Sequence, residues 1–212
     1  MKRLVKELGA APFRPLPAGV RRRIIQLVCH AAARQDPKAA MPELLQIDTD
    51  VTGLINDIAV PFGRGVHVKH RLMRYHDFFV DRVRPGERVL DIGSGNGAVA
   101  HSVASRASAT VTGLDLSEEN VAAARRMFAH PSLRFVIGKA PAAVPVEPFD
   151  VVMMSNVLEH IEHRAEFLRS VQARVSARRW LIRVPMFDRE WRVPMRKELG
   201  LYYFGEIGRA HV

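Results

Sequence analysis

Nine consecutive residues, Val89-Leu90-Asp91-Ile92-Gly93-Ser94-Gly95-Asn96-Gly97, carry the densest chemical signal in the chain. Glycines at a strand-to-helix turn adopt backbone angles that other residues resist, and they let a ligand approach the main chain closely. Free amides at the N-terminus of the following helix favour an anionic group. Gly93, Gly95 and Ala98 also satisfy the dinucleotide fingerprint G-x-G-x-x-G/A, so the spacing alone leaves the ligand open. Asp115 follows an apolar run, Thr110 to Leu114, at the edge where open α/β sheets bind ligands. A carboxylate there can accept both hydroxyls of a ribose, whatever cofactor carries it.

Glu159-His160-Ile161-Glu162-His163 is a second concentration of chemistry. His160 and His163 lie three apart, which on one helical face would suit a metal. The spacing matches neither H-E-x-x-H nor H-x-x-E-H, and nothing here requires a metal. His160 is instead a general base for an acceptor hydroxyl, or a helix-start residue that shapes a pocket wall.

The elements that must position these residues are legible from periodicity. Arg88 to Ile92, Thr110 to Leu114, Leu133 to Ile137, Phe149 to Met154 and Trp180 to Val184 read as strands. Between them, Ala98 to Ser105, a segment capped by Ser117 with Val121, Ala124 and Phe128 on its buried face, and Ala165 to Val175 read as helices. Strands separated by helices imply an α/β, doubly wound, mainly parallel sheet covered on both faces. Upstream, Leu72, Tyr75, Phe79 and Val83 recur at helical spacing, so His70 to Val83 reads as one amphipathic helix ended by Pro85-Gly86. A helix is expected from Pro17 to about Arg34, and residues 46 to 65 read as mixed. Residues 1–65 are thus a basic accessory segment with helical content, and 66–205 the main domain.

The composition is globular: 48% hydrophobic and 25% charged over 212 residues. One cysteine, Cys29, excludes an intramolecular disulfide, and no run is long and apolar enough to span a membrane. We expect a cytoplasmic protein. The formal net charge is +10, much of it before residue 37, where Lys2, Arg3, Lys6, Arg14, Arg21, Arg22, Arg23 and Arg34 face only Glu7 and Asp36. That segment could meet nucleic acid, an anionic membrane surface or an acidic substrate; the plainer reading is a solvated helix face.

Residues 88 to 184 resemble class I S-adenosylmethionine-dependent methyltransferases of the broad small-molecule type. Val89 to Gly97 is similar to the first motif of that family, including the acid before the glycines. Leu114-Asp115-Leu116-Ser117 resembles its ribose-binding motif. Phe149-Asp150-Val151-Val152 with Ser155-Asn156-Val157-Leu158-Glu159-His160 resembles its fourth strand and the segment after it. The resemblance implies S-adenosylmethionine as cofactor and a Rossmann-like fold. By it, Gly93, Gly95 and Gly97 pass close to the methionine part, and Asp91 orients that loop or the amino group. Asp115 holds the ribose, Leu116 packs on the adenine, and Ala140 and Asn156 line the same site. Where relatives often have Gly-Asp-Ala after the third strand, this chain has Gly138-Lys139-Ala140, and Lys139 cannot accept a hydrogen bond. The segment Lys69 to His76 resembles a helix that covers the cofactor site in some bacterial relatives.

These motifs point to methyl transfer onto a small-molecule, sugar or lipid-linked acceptor, on oxygen. Ser155-Asn156-Val157-Leu158 replaces the N/D-P-P-Y-type motif of enzymes that methylate base amines. The rivals are a nicotinamide-dependent oxidoreductase and a nucleic-acid-binding protein using the basic N-terminus. The resemblance also implies a seven-stranded sheet, of which five strands are placed. We expect that Glu206-Ile207-Gly208-Arg209-Ala210-His211-Val212 translates a sequencing adapter, which would cut the domain short and leave a sheet edge prone to aggregation.

Overall fold

The computed structural model describes residues 11–185 and 192–201. The adapter-like tail lies outside them. Five parallel strands form one sheet in the order β3-β2-β1-β4-β5: β1 Arg88–Ile92, β2 Thr110–Asp115, β3 Leu133–Ile137, β4 Val151–Ser155 and β5 Arg179–Arg183. The register pairs Ile92 with both Leu114 and Met154, so the carboxyl ends of the three middle strands lie level. The chain order reverses at β1, and the crevice between β1 and β4 is therefore the switch point where such sheets bind ligands.

Alternation along the strands sends residues to two cores. Val89, Val111, Phe135, Val151 and Met153 pack with α5 (Ala98–Arg106) and α6 (Glu118–Met127). Leu90, Ile92, Leu114, Val152 and Met154 pack with α7 (Arg164–Gln172) on the other face. Strands covered on both sides carry near-continuous apolar runs, as β4 does with Val151-Val152-Met153-Met154. Ser117 caps α6 by accepting from the Asn120 amide at 3.2 Å, as expected. The five strands fall where periodicity places them, to within a residue or two at each end.

Upstream, the structure departs from the sequence reading twice. α1 (Ala18–Ala33) is as expected, but residues read as mixed form most of a 26-residue helix, α2 (Pro37–Phe62). Asp36 caps it, accepting from the Lys38 amide at 3.0 Å, and Pro37 holds the first position, whose missing N–H costs nothing there. The expected single helix from His70 to Val83 is instead two short turns, α3 (Lys69–Leu72) and α4 (Asp77–Val80). Arg74 takes a left-handed conformation at φ 49°. The Tyr75 amide then reaches the His70 carbonyl at 2.9 Å and the Arg74 amide reaches Arg71 at 3.2 Å, a Schellman closure that ends α3. Tyr75, Phe79 and Val83 are buried as the spacing demands, whereas Leu72 is exposed.

A last helix, α8 (Arg192–Glu198), packs back on α2. The buried Arg196 guanidinium pairs with Asp48 and donates to Thr49 Oγ1 at 3.0 Å. No helix among the described residues is long and apolar enough to cross a membrane.

Candidate active site

The loop from Gly93 to Gly97 is fixed from below by β2. The Gly93 and Ser94 amides donate to the Leu114 carbonyl at 2.8 and 3.1 Å. Gly93, Gly95 and Gly97 all hold positive φ, at 73°, 54° and 85°. Their surroundings differ. A Cβ on Gly93 would meet Val157 Cγ2 at 2.5 Å, and one on Gly97 would meet Phe135 Cζ at 2.5 Å. Gly95 has nothing within 4 Å. Gly93 and Gly97 are therefore glycines because protein fills the space beside them. Gly95 alone of the three leaves open space for a ligand.

Asp115 ends β2 and is almost fully buried. Its Oδ2 accepts from the Gly95 amide at 2.8 Å, and its Oδ1 accepts from the Ser117 amide at 2.9 Å and from Asn120 Nδ2 at 3.2 Å. The same carboxylate thus ties the glycine loop to the start of α6, a role that spacing did not reveal. Lone-pair sites remain on Oδ2 for an incoming hydroxyl. Leu116, the next residue, is 45% exposed. Gly138 donates its amide to the Asp115 carbonyl at 2.9 Å, and this holds Ala140 beside that edge. Lys139 stands between them.

Asp91 is the anomaly. It is 1% exposed, and neither carboxylate oxygen has a hydrogen-bond partner. Burial, and then the nearby Asp115 charge, push its pKa well above the usual carboxylate range. Ser94 Oγ, also buried, has no partner either. A buried acid left unpaired costs free energy that a cationic or donor group would recover.

Residues 89–177 match a family model described as a methyltransferase domain. The chain carries a class I S-adenosylmethionine-dependent methyltransferase domain. Among curated relatives, a ubiquinone biosynthesis O-methyltransferase of Bradyrhizobium diazoefficiens is 31% identical over 160 residues, covering 74% of this chain and 58% of the relative. One of Caulobacter sp. is 41% identical over 91 residues, covering 40% of this chain and 35% of the relative. A ribosomal protein L11 methyltransferase of Burkholderia ambifaria is 28% identical over 163 residues, covering 77% and 48%. The chain thus spans less than two thirds of the length of each.

In this methyltransferase domain, the segment after β4 does not place His160 and His163 on one helical face. Leu158–His160 is a single 3-10 turn, Ile161 is extended, and His163 precedes α7. His160 Nε2 lies 3.8 Å from Glu159 Oε1, while His160 Nδ1 is buried without a partner. Burial raises the Glu159 pKa, opposed by a backbone hydrogen bond and by His160 and Arg164.

Asn156 follows β4 in a left-handed conformation at φ 57°. Its Oδ1 accepts from Tyr75 Oη at 2.6 Å, and Ser155 Oγ donates to the same Tyr75 oxygen at 3.2 Å. The Tyr75 ring stacks with the imidazole of His70, centroids 4.9 Å apart, and the Arg183 guanidinium lies over it at 3.6 Å from its centroid. The segment Lys69 to His76 is therefore docked on the carboxyl end of β4 through Tyr75, as two short turns and not as a continuous helix. Behind it runs a chain of polar contacts. His70 Nδ1 and His76 Nε2 are 2.8 Å apart, His76 Nδ1 and Ser102 Oγ 2.6 Å, and Ser102 donates to the Ala98 carbonyl at 3.1 Å. The donor and acceptor roles along this chain follow the tautomers of the two rings. Burial is the largest cause that lowers the pKa of each ring to about 4, which keeps both neutral near pH 7. Sequence reasoning assigned Tyr75 only to an apolar face and missed both networks. Three histidines and a tyrosine within ten residues, His67, His70, Tyr75 and His76, were the available signal.

Proposed function

We propose that the chain binds S-adenosylmethionine across the carboxyl ends of β1 and β2 and transfers its methyl group to an oxygen of a small-molecule, sugar or lipid-linked acceptor. The observation that carries this reading is the unpartnered carboxylate of Asp91 beneath an open glycine loop. The residues present fit the cofactor. Asp91 offers the missing partner for an ammonium group, directly or through the loop amides. The free lone pairs of Asp115 suit ribose hydroxyls, and the exposed Leu116 with Ala140 offers an apolar ledge for a purine. Lys139 supplies no acceptor for the adenine amino group, so recognition of the base falls to main chain near Gly138 to Ala140. Asn156 acts through Tyr75, holding the covering segment over the site.

When bound, the cofactor supplies an already activated methyl electrophile. What remains for the protein is alignment of the acceptor and removal of its proton. His160 takes that proton. Glu159 beside it stabilises the imidazolium that results, as an adjacent carboxylate does. The O-methyltransferase relatives support oxygen as the acceptor atom.

The test is a transfer assay with methyl-labelled cofactor across sugar, lipid and phenolic acceptors. We expect labelled product. With the best acceptor, His160→Asn should lower kcat by about 100-fold or more, the usual worth of a general base, while leaving affinity for S-adenosylhomocysteine unchanged. An unchanged kcat in that variant removes His160 from proton transfer. Affinity lost along with kcat would mark His160 as a pocket-shaping residue.

A further inference from the structure

Arg183 is the last residue of β5 and pairs in register with Ser155 at the end of β4. It lies two strands from β1, on the side away from β2. Strand spacing puts it roughly 10 Å from the glycine loop across the sheet. Asp115, Leu116 and Ala140 lie on the far side of that loop. A cofactor laid over β1 and β2 would therefore leave the end of β5 to the acceptor.

The guanidinium there is poised but not neutralised. It stacks on the Tyr75 ring and donates one hydrogen bond, from Nη1 to the Tyr75 carbonyl at 2.8 Å. Arginine has five N–H donors, so most of its capacity is unspent. Among the described residues no carboxylate pairs with it. Asp77, the acid of the adjoining α4, is held by Arg74 and Arg106 at 2.6 Å each. The two histidines nearest Tyr75 are engaged with each other and with Ser102. Among the described residues, the partly buried Arg88 and Arg179 pair with Glu147 and Glu87, and the buried Arg196 pairs with Asp48. A partly buried cation fixed by stacking, with its fork left open, is the geometry that recognises a planar oxyanion.

We propose that Arg183 anchors a carboxylate on the methyl acceptor, so that the acceptor is an organic acid bound with its acidic end over β5. The inference rests on the methyl-transfer reading above. The cofactor's own carboxylate has the same chemistry, and the experiment separates the two.

The full chain, saturated with S-adenosylhomocysteine, is titrated with benzoate and with its neutral isostere benzamide, followed by ligand-observed NMR. We expect benzoate to bind and benzamide not to. Arg183→Met should weaken benzoate by about ten-fold or more, as expected on loss of a charge-assisted pair. Arg183→Lys, which keeps the charge and a donor for Tyr75, should recover part of that loss. Equal binding of the two probes, no binding of benzoate, or unchanged benzoate binding in Arg183→Met overturns the proposal. A parallel arm measures S-adenosylhomocysteine against 5′-methylthioadenosine, which lacks the amino-acid part. If Arg183→Met weakens the first and spares the second, Arg183 holds the cofactor's carboxylate and the proposal falls. If the folded wild-type chain binds neither nucleoside, it is the methyl-transfer reading that fails.

Discussion

A carboxylate with both oxygens unpaired inside a parallel sheet works against folding at neutral pH, and Asp91 is in that position. Its raised pKa means that the folded state holds the proton more tightly than the unfolded chain. This contribution to stability is present at low pH and is lost as pH rises past the ordinary carboxylate value. Asp91→Asn removes the charge while keeping the shape. We expect the variant to melt at a higher temperature than the wild type at pH 7.5, and to bind S-adenosylmethionine more weakly by roughly 1.5–3 kcal/mol, the worth of a hydrogen bond to a charged group. Thermal melts and calorimetric titration on the same samples check both halves. A variant that is less stable and binds normally would mark Asp91 as structural. Its identity as the acid before the glycines was plain in the sequence. That it lacks a partner depends on how β2 and β4 flank it, and no motif encodes that.

At the scale of the element, the glycine loop separates space kept for packing from space kept for ligand. Gly97→Ala would press a methyl group into Phe135 and Ala124 at a positive φ, and should destabilise the fold by about 1–3 kcal/mol, as overpacking does. Gly95→Ala meets no atom but stays at φ 54°, so it carries only the backbone cost of about 1 kcal/mol, and its larger effect should be on cofactor affinity. Denaturant unfolding beside titration distinguishes the two variants; equal losses of affinity per unit of stability would contradict the division. Elements with strong periodicity were legible: the five strands, α5, the Ser117 cap of α6, and α7. Those set by local closure were not. Arg74 adopts a left-handed turn that glycine usually supplies, so Leu72 to Val83 kept a helical pattern without being one helix. α2 was hidden by Pro42 and by weak periodicity, although Asp36-Pro37 is a cap and first-turn signal.

For the molecule as a whole, the buried histidine chain makes stability respond to acid. His70 and His76 have pKa values lowered to about 4, first by burial. For His70 the further causes are His76, Lys69, His67 and Arg183. For His76 they are Arg106, opposed by Asp77, then Arg183 and His101. The unfolded chain therefore binds protons that the folded one does not between about pH 6.5 and about pH 4, and this contribution falls as pH drops through that window. Asp91 and Glu159 act in the opposite direction, since their raised values favour the folded state at low pH. The histidine part is isolated by comparing wild type with a His70→Gln, His76→Gln double variant. The difference in unfolding free energy between the two should narrow from pH 7 to pH 4.5, and a pH-independent difference would show that the two rings titrate in the fold as they do in the unfolded chain. The basic N-terminus, read from sequence as a solvated face, has Arg21, Arg22 and Arg23 exposed on α1. What composition could not show is that α8 ties this helical hairpin back to the chain after β5 through Arg196.

The central claim is that the edge built by Asp91, Gly95 and Asp115 holds S-adenosylmethionine. Its most direct test is calorimetric titration of the full chain with S-adenosylmethionine and, separately, with NAD, in wild type and Asp115→Ala. The account predicts saturable one-to-one binding of S-adenosylmethionine, no binding of NAD, and weakening in Asp115→Ala by a few kcal/mol at most. Binding of NAD in preference to S-adenosylmethionine, or unchanged S-adenosylmethionine affinity in a folded Asp115→Ala variant, would contradict it.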